Sequence, residues 1–305
     1  MSPLVIAHRL GAIGPGLETL IAQAAPDLKV VAWPEPGEVL AALDVPWSDD
    51  ERRLAPETRW VHVLGAGVGN FPLGMLEGRP LTCSKGASAP AIAEFVLATM
   101  LAFAKRLPDT WVTEPPPAWN RADLAGLRGR TLGLIGLGAI GTEVARRALA
   151  FEMDVVAARR SERPAGTAGV RVAPLGDVLA AADHLVVAAP ATTETRHLLD
   201  AGAFAAMKPG VHVVNIARGA LVDQDALLAA LDHGPVAMAS LDVVDPEPLP
   251  AGHPLYRHPR VRVSPHVSWS SPDTVARTID MFLENLRRYR AGEELAGIVD
   301  VEAGY

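Results

Sequence analysis

The stretch TLGLIGLGAIGTEVARRALA, residues 131–150, joins a short apolar run, a turn with three glycines (Gly136, Gly138 and Gly141) and a helical pattern. In such a strand–turn–helix unit, one glycine allows a tight turn and the next lets the backbone approach a pyrophosphate. The last glycine packs the helix closely on the strand. The first helical amides then face the phosphates. We therefore predict a dinucleotide site with contacts from Gly136, Gly138, Ala139, Ile140 and Gly141.

On both sides of this stretch, short apolar runs alternate with helical patterns, which is typical of parallel α/β proteins. Near-continuous runs of Val, Ile, Leu and Ala suit strands that are covered on both faces. The predicted strands are LVIAH, KVVAW and WVHVLG before the glycine turn, and TLGLIG, VVAAR, HLVVAAP, VHVVNIA, VAMASLDV and VRVSP from Thr131 onward. The predicted helices include GLETLIAQAA, EVLAAL, a long apolar helix at 88–107 and a capped helix at 271–292.

This order predicts an α/β protein with two Rossmann-like domains, each a doubly wound parallel sheet. The dinucleotide-binding domain, residues 91–271, would be inserted into a smaller substrate domain made of residues 1–90 and 272–305. The helix at 88–107 and the region around 268–275 would be the two crossings. Two crossings form a hinge, and we expect the ligand in a cleft between the domains.

Bulk composition narrows the function classes. The chain has 305 residues, a formal net charge of −7 and a single cysteine, Cys83. The acidic balance argues against a general nucleic-acid binder. One cysteine fits a reducing compartment, and neither a signal peptide nor a membrane span is recognisable, so we expect a cytoplasmic protein. The histidines lack paired ligand spacing, and no metal site is expected.

The segment AARRS, residues 157–161, addresses cofactor choice. Arg159 lies eighteen residues after Gly141, at the predicted end of the second strand. An Asp or Glu there would bind the ribose hydroxyls, whereas arginine suits a 2′-phosphate. Arg160 and Ser161 could add contacts. We expect NADP, with NAD as the weaker alternative; the competing interpretation is an ordinary solvated charged loop.

Three polar side chains follow predicted strands of the second domain: Arg218, Glu247 and His266. Reducing a ketone leaves an alkoxide, so a proton donor must reach its oxygen, and histidine titrates near neutral pH. A carboxylate would favour the imidazolium and orient the ring, while arginine can hold a substrate carboxylate. Singly, each has an ordinary alternative: a surface ion pair, a turn residue and a strand-end histidine. Together they predict catalysis on a 2-oxo acid.

At this point the motifs GLGAIG, APATTETRHLL, VVNIARGALVD, LDVVDPEPLP and SPHVSW resemble the D-isomer-specific 2-hydroxyacid dehydrogenases, from about Gly65 to Trp269. The resemblance implies a catalytic set of Arg218, Glu247 and His266, with Asp242 near the nicotinamide. It also implies that the amides of GAGVGN receive the substrate carboxylate and that the long helix enters a homodimer interface. Further implied cofactor contacts are Pro190, Thr195 and Ala217, and implied substrate contacts are Ala66, Gly67, Val68, Arg218, His266 and Trp269.

Within the family, AARRS resembles the NADP-dependent glyoxylate/hydroxypyruvate reductases. Gly69 replaces the usual aspartate after GAGV, and Glu152 replaces a glycine where a left-handed helix cap is expected. Trp269 would narrow the substrate pocket or else lie in an ordinary core. The leading hypothesis is NADPH-dependent reduction of small 2-oxo acids to D-2-hydroxy acids.

Three alternatives remain. The enzyme could act on bulkier 2-keto acids, which pocket shape decides. The protein could be a dinucleotide sensor similar to corepressors of this fold, although the intact catalytic set argues against that. A 3-hydroxyacid dehydrogenase would need a catalytic lysine, and Lys208 in AAMKPG is the only downstream candidate.

Overall fold

The computed structural model describes residues 4–11, 14–160 and 165–302. The strands are β1 (Val5–Arg9), β2 (Lys29–Ala32), β3 (Val39–Ala42), β4 (Trp60–Val63), β5 (Leu81–Cys83), β6 (Thr131–Ile135), β7 (Asp154–Ala158), β8 (Val170–Val172), β9 (His184–Val187), β10 (Val211–Asn215), β11 (Val236–Leu241) and β12 (Val261–Val263). The α-helices are α1 (Gly14–Ala24), α2 (Ala89–Ala104), α3 (Ala139–Ala150), α4 (Leu175–Ala181), α5 (Ala201–Ala205), α6 (Gln224–His233) and α7 (Pro272–Ala291).

The strands form two parallel sheets. The smaller sheet has the order β2-β1-β3-β4-β5, and the larger has the order β12-β11-β10-β9-β6-β7-β8. From β6 the chain adds β7 and β8 on one side, and it then returns to add β9 on the other side of β6. The order in which strands are added therefore reverses between β6 and β9, although all strands stay parallel. Ligands of such sheets bind beyond the carboxyl ends of the strands at this reversal. The predicted α/β class with two Rossmann-like sheets is confirmed.

The chain divides into two compact units, residues 1–88 with 271–305 and residues 89–270. In the first unit, α7 packs its apolar side on the smaller sheet, where Trp60 stacks against Phe282 and Tyr289. Two hydrogen bonds also hold the C-terminal segment, from Ser84 Oγ to the Thr278 carbonyl and from Asn285 Nδ2 to the Ala296 carbonyl. The C-terminal helix therefore completes the core of the N-terminal sheet.

The second unit buries both faces of its central strands. Every residue of β9 and β10 is buried, as the continuous apolar runs predict. α2 and α3 cover one face, and α4, α5 and α6 cover the other. The long helix spans Ala89–Ala104, three residues short of the predicted end, and the segment from Thr110 to Leu124 contains neither helix nor strand.

The prediction of a helix for EVLAAL was wrong. Residues Val39–Ala42 form β3, a fully buried strand between β1 and β4. Ala and Leu favour helices in isolation, but this run is too short for a stable helix and its place between two parallel strands decides its conformation. The edge strand β8 and the short strand β5 were not predicted.

Two local expectations are confirmed. Glu152 adopts a left-handed conformation with φ of 57°, so this position keeps the glycine-like backbone without the glycine. α7 begins after Ser271, whose Oγ accepts from the Thr274 amide, and ends at Gly292 with φ of 67°. None of the helices within the described ranges combines the length and apolar composition needed to cross a membrane.

Buried histidines make folding sensitive to acid. Desolvation lowers the pKa of His62 and of His212 to about 3 and that of His184 to about 4, from 6.5. Below pH 6.5 these histidines are protonated in the unfolded chain but stay neutral in the folded chain. The free energy of unfolding therefore falls as the pH is lowered.

We expect urea denaturation to show this loss between pH 7.5 and pH 5.5, at roughly 1 kcal/mol per buried histidine. His62→Gln should remove about 1 kcal/mol of the difference, because glutamine keeps polar partners for Thr82 and Ser84 without titrating. The matched control is His233→Asn, since His233 is exposed. Equal stability at both pH values would contradict the prediction.

Candidate active site

The glycine turn after β6 has the geometry that the motif predicts. Gly136 has φ of +100°, and a Cβ there would lie 2.7 Å from the Ala188 carbonyl oxygen. A Cβ on Gly141 would lie 2.2 Å from the Gly136 oxygen, whereas one on Gly138 would meet nothing within 4 Å. The N-cap residue of α3 is Gly138, which has no side chain that could accept from the first helical amides. These amides are therefore available to an anion. Ala139 and Ile140 are in that first turn.

The carboxyl end of β7 carries the arginines. The Gly136 amide donates to the Ala158 carbonyl at 2.9 Å, which fixes the glycine turn beside the end of β7. Arg159 follows at once and is partly exposed, and Arg160 lies 3.9 Å from exposed Glu194 in a solvent-screened ion pair. Ser161 lies outside the described residues. Phosphate recognition by these side chains stays a prediction.

The loops after β9 and β10 are fixed by short side chains. Thr195 Oγ1 donates to the Pro190 carbonyl at 2.8 Å and accepts from the Thr192 amide at 2.8 Å. After β10, Asn215 brackets the next turn: its Oδ1 accepts from the Ala217 amide at 3.1 Å and its Nδ2 donates to the Arg218 carbonyl at 2.9 Å. Both loops thus present rigid backbone at the carboxyl edge of the sheet.

His266 and Glu247 form a hydrogen-bonded pair. His266 Nδ1 lies 2.8 Å from Glu247 Oε2, and the Val244 amide donates to Glu247 Oε1 at 3.2 Å. Nε2 of His266 has no partner in the described part of the chain, which leaves it available to another molecule. The pair is about 40% exposed, with values of 42% for His266 and 38% for Glu247. This arrangement can hold one ring nitrogen while the other donates or accepts a proton.

Asp242 anchors the segment that carries His266. This buried carboxylate accepts from Ser264 Oγ at 2.6 Å, the Val267 amide at 2.9 Å and the Ser268 amide at 2.9 Å. His266 itself has φ of 54°, and its amide donates to the Asp242 carbonyl at 2.9 Å. Most of the carboxylate's hydrogen-bonding capacity is therefore used within the loop. Contact between Asp242 and a cofactor stays a prediction.

Arg218 has no carboxylate partner among the described residues. Its Nη1 donates to the Ala217 carbonyl at 2.7 Å, and the side chain is partly exposed. The alternative of a surface ion pair is thus absent from this part of the chain. A guanidinium without a counter-charge at the carboxyl edge of a sheet suits a substrate anion.

Trp269 does not lie in an ordinary core. It is 45% exposed, and its Nε1 donates to the His266 carbonyl at 2.9 Å. The indole therefore supports the histidine turn from the solvent side. A role in lining a substrate pocket stays a prediction.

In the first unit, the loop GAGVGN follows β4. The amides of Ala66, Gly67 and Val68 have no acceptor among the described residues. Consecutive amides without a protein acceptor are hydrogen-bond donors that suit a carboxylate. This geometry fits the substrate-binding role that the sequence implies for the loop, and the role itself stays a prediction.

Sequence reasoning missed the residues that support the site. Asn215 is the last residue of β10, three residues before Arg218, and Ser264 directly follows β12, two residues before His266. The only sequence signal of Asn215 and Ser264 was that each is a polar residue at the end of an apolar run. Asp44, which holds the GAGVGN loop, was also missed. No group of three or more His, Cys, Asp or Glu side chains in the described ranges is arranged to hold a metal ion.

Comparisons with known proteins identify the family of the chain. A model of the D-isomer specific 2-hydroxyacid dehydrogenase NAD binding domain matches residues 97–268. A glyoxylate/hydroxypyruvate reductase A from Serratia proteamaculans is 32% identical, over 93% of this chain and 94% of the relative. A D-3-phosphoglycerate dehydrogenase from Mycobacterium tuberculosis is 34% identical over 91% of this chain, which spans only 54% of that relative.

Two solved structures share the fold over nearly the whole chain. A D-isomer specific 2-hydroxyacid dehydrogenase from Xanthobacter autotrophicus, in complex with NADPH and MES, has a TM-score of 0.86 and 28% identity, covering 100% of both chains. An NADPH-dependent glyoxylate/hydroxypyruvate reductase from Sinorhizobium meliloti, in complex with NADP and sulfate, has a TM-score of 0.83 and 26% identity, covering 99% of this chain and 100% of that one. The chain belongs to the D-isomer specific 2-hydroxyacid dehydrogenase family.

Proposed function

We propose that the protein is an NADPH-dependent reductase that converts small 2-oxo acids, such as glyoxylate and hydroxypyruvate, to D-2-hydroxy acids. The observation that carries this proposal is the pair formed by His266 Nδ1 and Glu247 Oε2 at 2.8 Å. Arg218, Glu247 and His266 follow β10, β11 and β12, which are neighbours in one parallel sheet. Their side chains therefore belong to the same edge, as a shared reaction centre requires.

Each residue has a distinct task in this proposal. Arg218 binds the substrate carboxylate and carbonyl oxygen and so orients the carbonyl carbon. His266 donates a proton from Nε2 to the oxygen that gains negative charge, while Glu247 holds the ring through Nδ1. Asp242 and Trp269 keep the histidine turn in place through the contacts described above.

The turn after β6 fits a nicotinamide dinucleotide. The open space over Gly138 and the uncapped start of α3 would receive the pyrophosphate. Arg159, Arg160 and Ser161 would bind the 2′-phosphate, with Pro190, Thr195, Ala217 and Asp242 along the rest of the cofactor. When bound, the reduced nicotinamide supplies the hydride.

Relatives support the substrate class. The Serratia protein and the Sinorhizobium protein are both named glyoxylate/hydroxypyruvate reductases, and the second was solved with NADP. Because other relatives are named D-3-phosphoglycerate dehydrogenases, 3-phosphoglycerate is a second candidate substrate. Bulkier 2-keto acids are a third. A non-enzymatic dinucleotide sensor is the remaining alternative, and the His266–Glu247 pair argues against it.

The test of function is cofactor oxidation, followed by absorbance, with NADPH or NADH and a panel of oxo acids. Glyoxylate, hydroxypyruvate, pyruvate, phenylpyruvate and phosphohydroxypyruvate cover the competing substrate classes. We expect the highest kcat/KM with NADPH and the first two acids. Tight nucleotide binding without turnover of any of them would instead favour the sensor.

Arg159→Asp tests cofactor choice. A charge-assisted contact contributes about 1.5–3 kcal/mol, so the ratio of kcat/KM for NADPH to that for NADH should fall roughly 10- to 100-fold. The matched control is Arg171→Asp, which changes the same charge on the exposed edge strand β8. Equal losses of kcat/KM with both cofactors would mean that Arg159 belongs to an ordinary solvated charged loop and does not recognise the 2′-phosphate.

His266→Ala tests the proton donor. We expect kcat to fall by about 10²–10⁴, with NADPH affinity nearly unchanged, because the imidazole acts on the substrate oxygen. Glu247→Gln should cost less, since the amide oxygen can still accept from Nδ1. His233→Ala serves as the control on an exposed histidine. Turnover retained in His266→Ala would mean that another group is the acid.

We also propose a homodimer that involves the second unit. The segment after α2 exposes two large apolar side chains, Trp111 at 71% and Trp119 at 72%. Exposed apolar surface of this kind often marks a protein interface. Sedimentation velocity should show a dimer for the parent protein and a shift toward monomer for the Trp111→Ser, Trp119→Ser double variant. A monomeric parent would refute the proposal.

A further inference from the structure

The GAGVGN loop is held by a side chain from a different strand. Asp44 lies two residues after β3, next to β4 in the smaller sheet. Its Oδ2 accepts from the Gly69 amide at 3.1 Å and its Oδ1 accepts from the Asn70 amide at 2.8 Å. Asn70 Nδ2 returns a bond to the Asp44 carbonyl at 3.2 Å. One carboxylate thus clamps the end of the loop with both oxygens.

This clamp explains how the chain tolerates Gly69. Glycine loses more conformational freedom on folding than any other residue, so the loop needs an outside restraint to keep one conformation. The restraint acts on residues 69 and 70, directly after the three amides without acceptors at residues 66–68. A packed side chain supports the same segment, because Phe71 contacts Trp47 edge-on with ring centroids 5.5 Å apart.

We infer that Asp44 is a positioning residue for substrate binding: it holds the GAGVGN loop so that the amides of Ala66, Gly67 and Val68 stay directed at the substrate carboxylate. This inference rests on the proposed function. Both oxygens of the Asp44 carboxylate accept hydrogen bonds from backbone amides, so Asp44 orders the loop. A carboxylate has no hydrogen to donate, so Asp44 does not itself bind the substrate anion. Its loss should weaken binding of the substrate in ground state and transition state alike, which raises KM and spares kcat.

The test compares Asp44→Ala and Asp44→Asn with the parent protein, using NADPH and glyoxylate. We expect at least about a tenfold rise in KM for glyoxylate in Asp44→Ala, with kcat and KM for NADPH close to those of the parent. Asp44→Asn should be intermediate, because its Oδ1 still accepts from one amide while its Nδ2 opposes the other. A structural role alone would lower the yield or melting temperature and leave KM for glyoxylate unchanged.

The matched control is Asp49→Ala, because Asp49 also lies between β3 and β4, is 93% exposed and forms an ion pair with Arg52. Hydrogen exchange of a peptide covering residues 64–71 gives a readout that does not depend on turnover, and we expect faster exchange in Asp44→Ala. Faster exchange with an unchanged KM for glyoxylate would overturn the inference, and so would unchanged exchange. Absence of turnover in the parent protein would refute the proposed function, and with it the substrate role of Asp44.

Discussion

The geometry of the proposed active site, at the carboxyl edge of the larger sheet, depends on one buried carboxylate. Asp242 directly follows β11 and accepts three hydrogen bonds from the segment after β12. A buried charge destabilises the folded state unless its hydrogen bonds are satisfied. The requirement for these hydrogen bonds therefore keeps residues 264–268 in contact with the Asp242 carboxylate. His266 stands inside that segment with a left-handed backbone, a conformation that an L-residue adopts only when its surroundings impose it. The contact between two neighbouring strand ends thereby fixes the direction of the imidazole.

The same physical device recurs elsewhere in the molecule. Asn215 brackets the turn that carries Arg218, Thr195 closes the loop after β9, and Asp44 holds the loop after β4. In each case a short polar side chain satisfies backbone groups at the carboxyl edge of a parallel sheet. Functional side chains on such loops are positioned with the precision of the sheet, although the loops themselves are irregular. The geometry of the proposed site therefore depends on these supporting contacts as well as on Arg218, Glu247 and His266.

Much of the fold could be predicted because parallel sheets leave a strong sequence pattern. Strands covered on both faces are mostly apolar, and so are the runs in β6, β9 and β10, whose polar members are Thr131, His184, His212 and Asn215. The exception is β3, which has no such distinctive pattern. VLAA has the composition of a helix, and only its burial between β1 and β4 makes it a strand. The short edge strand β8 is partly exposed and has too little apolar pattern to be recognised.

By itself, the sequence determined the class of protein, and it predicted the residues that we propose carry its chemistry. Glycine spacing follows from steric contact, since a Cβ on Gly141 would collide with the Gly136 carbonyl, and such requirements are local. Arg218, Glu247 and His266 were also recognisable, because each follows an apolar run in a predictable strand. Only the tertiary structure decided that Glu247 lies against Nδ1 of His266, that Asp242 accepts from the amides of the histidine turn, and that Asp44 accepts from the amides of Gly69 and Asn70. Those contacts join residues 19 to 26 positions apart along the chain, and their distances depend on how neighbouring strands pair. Residue composition alone carries no information on that pairing.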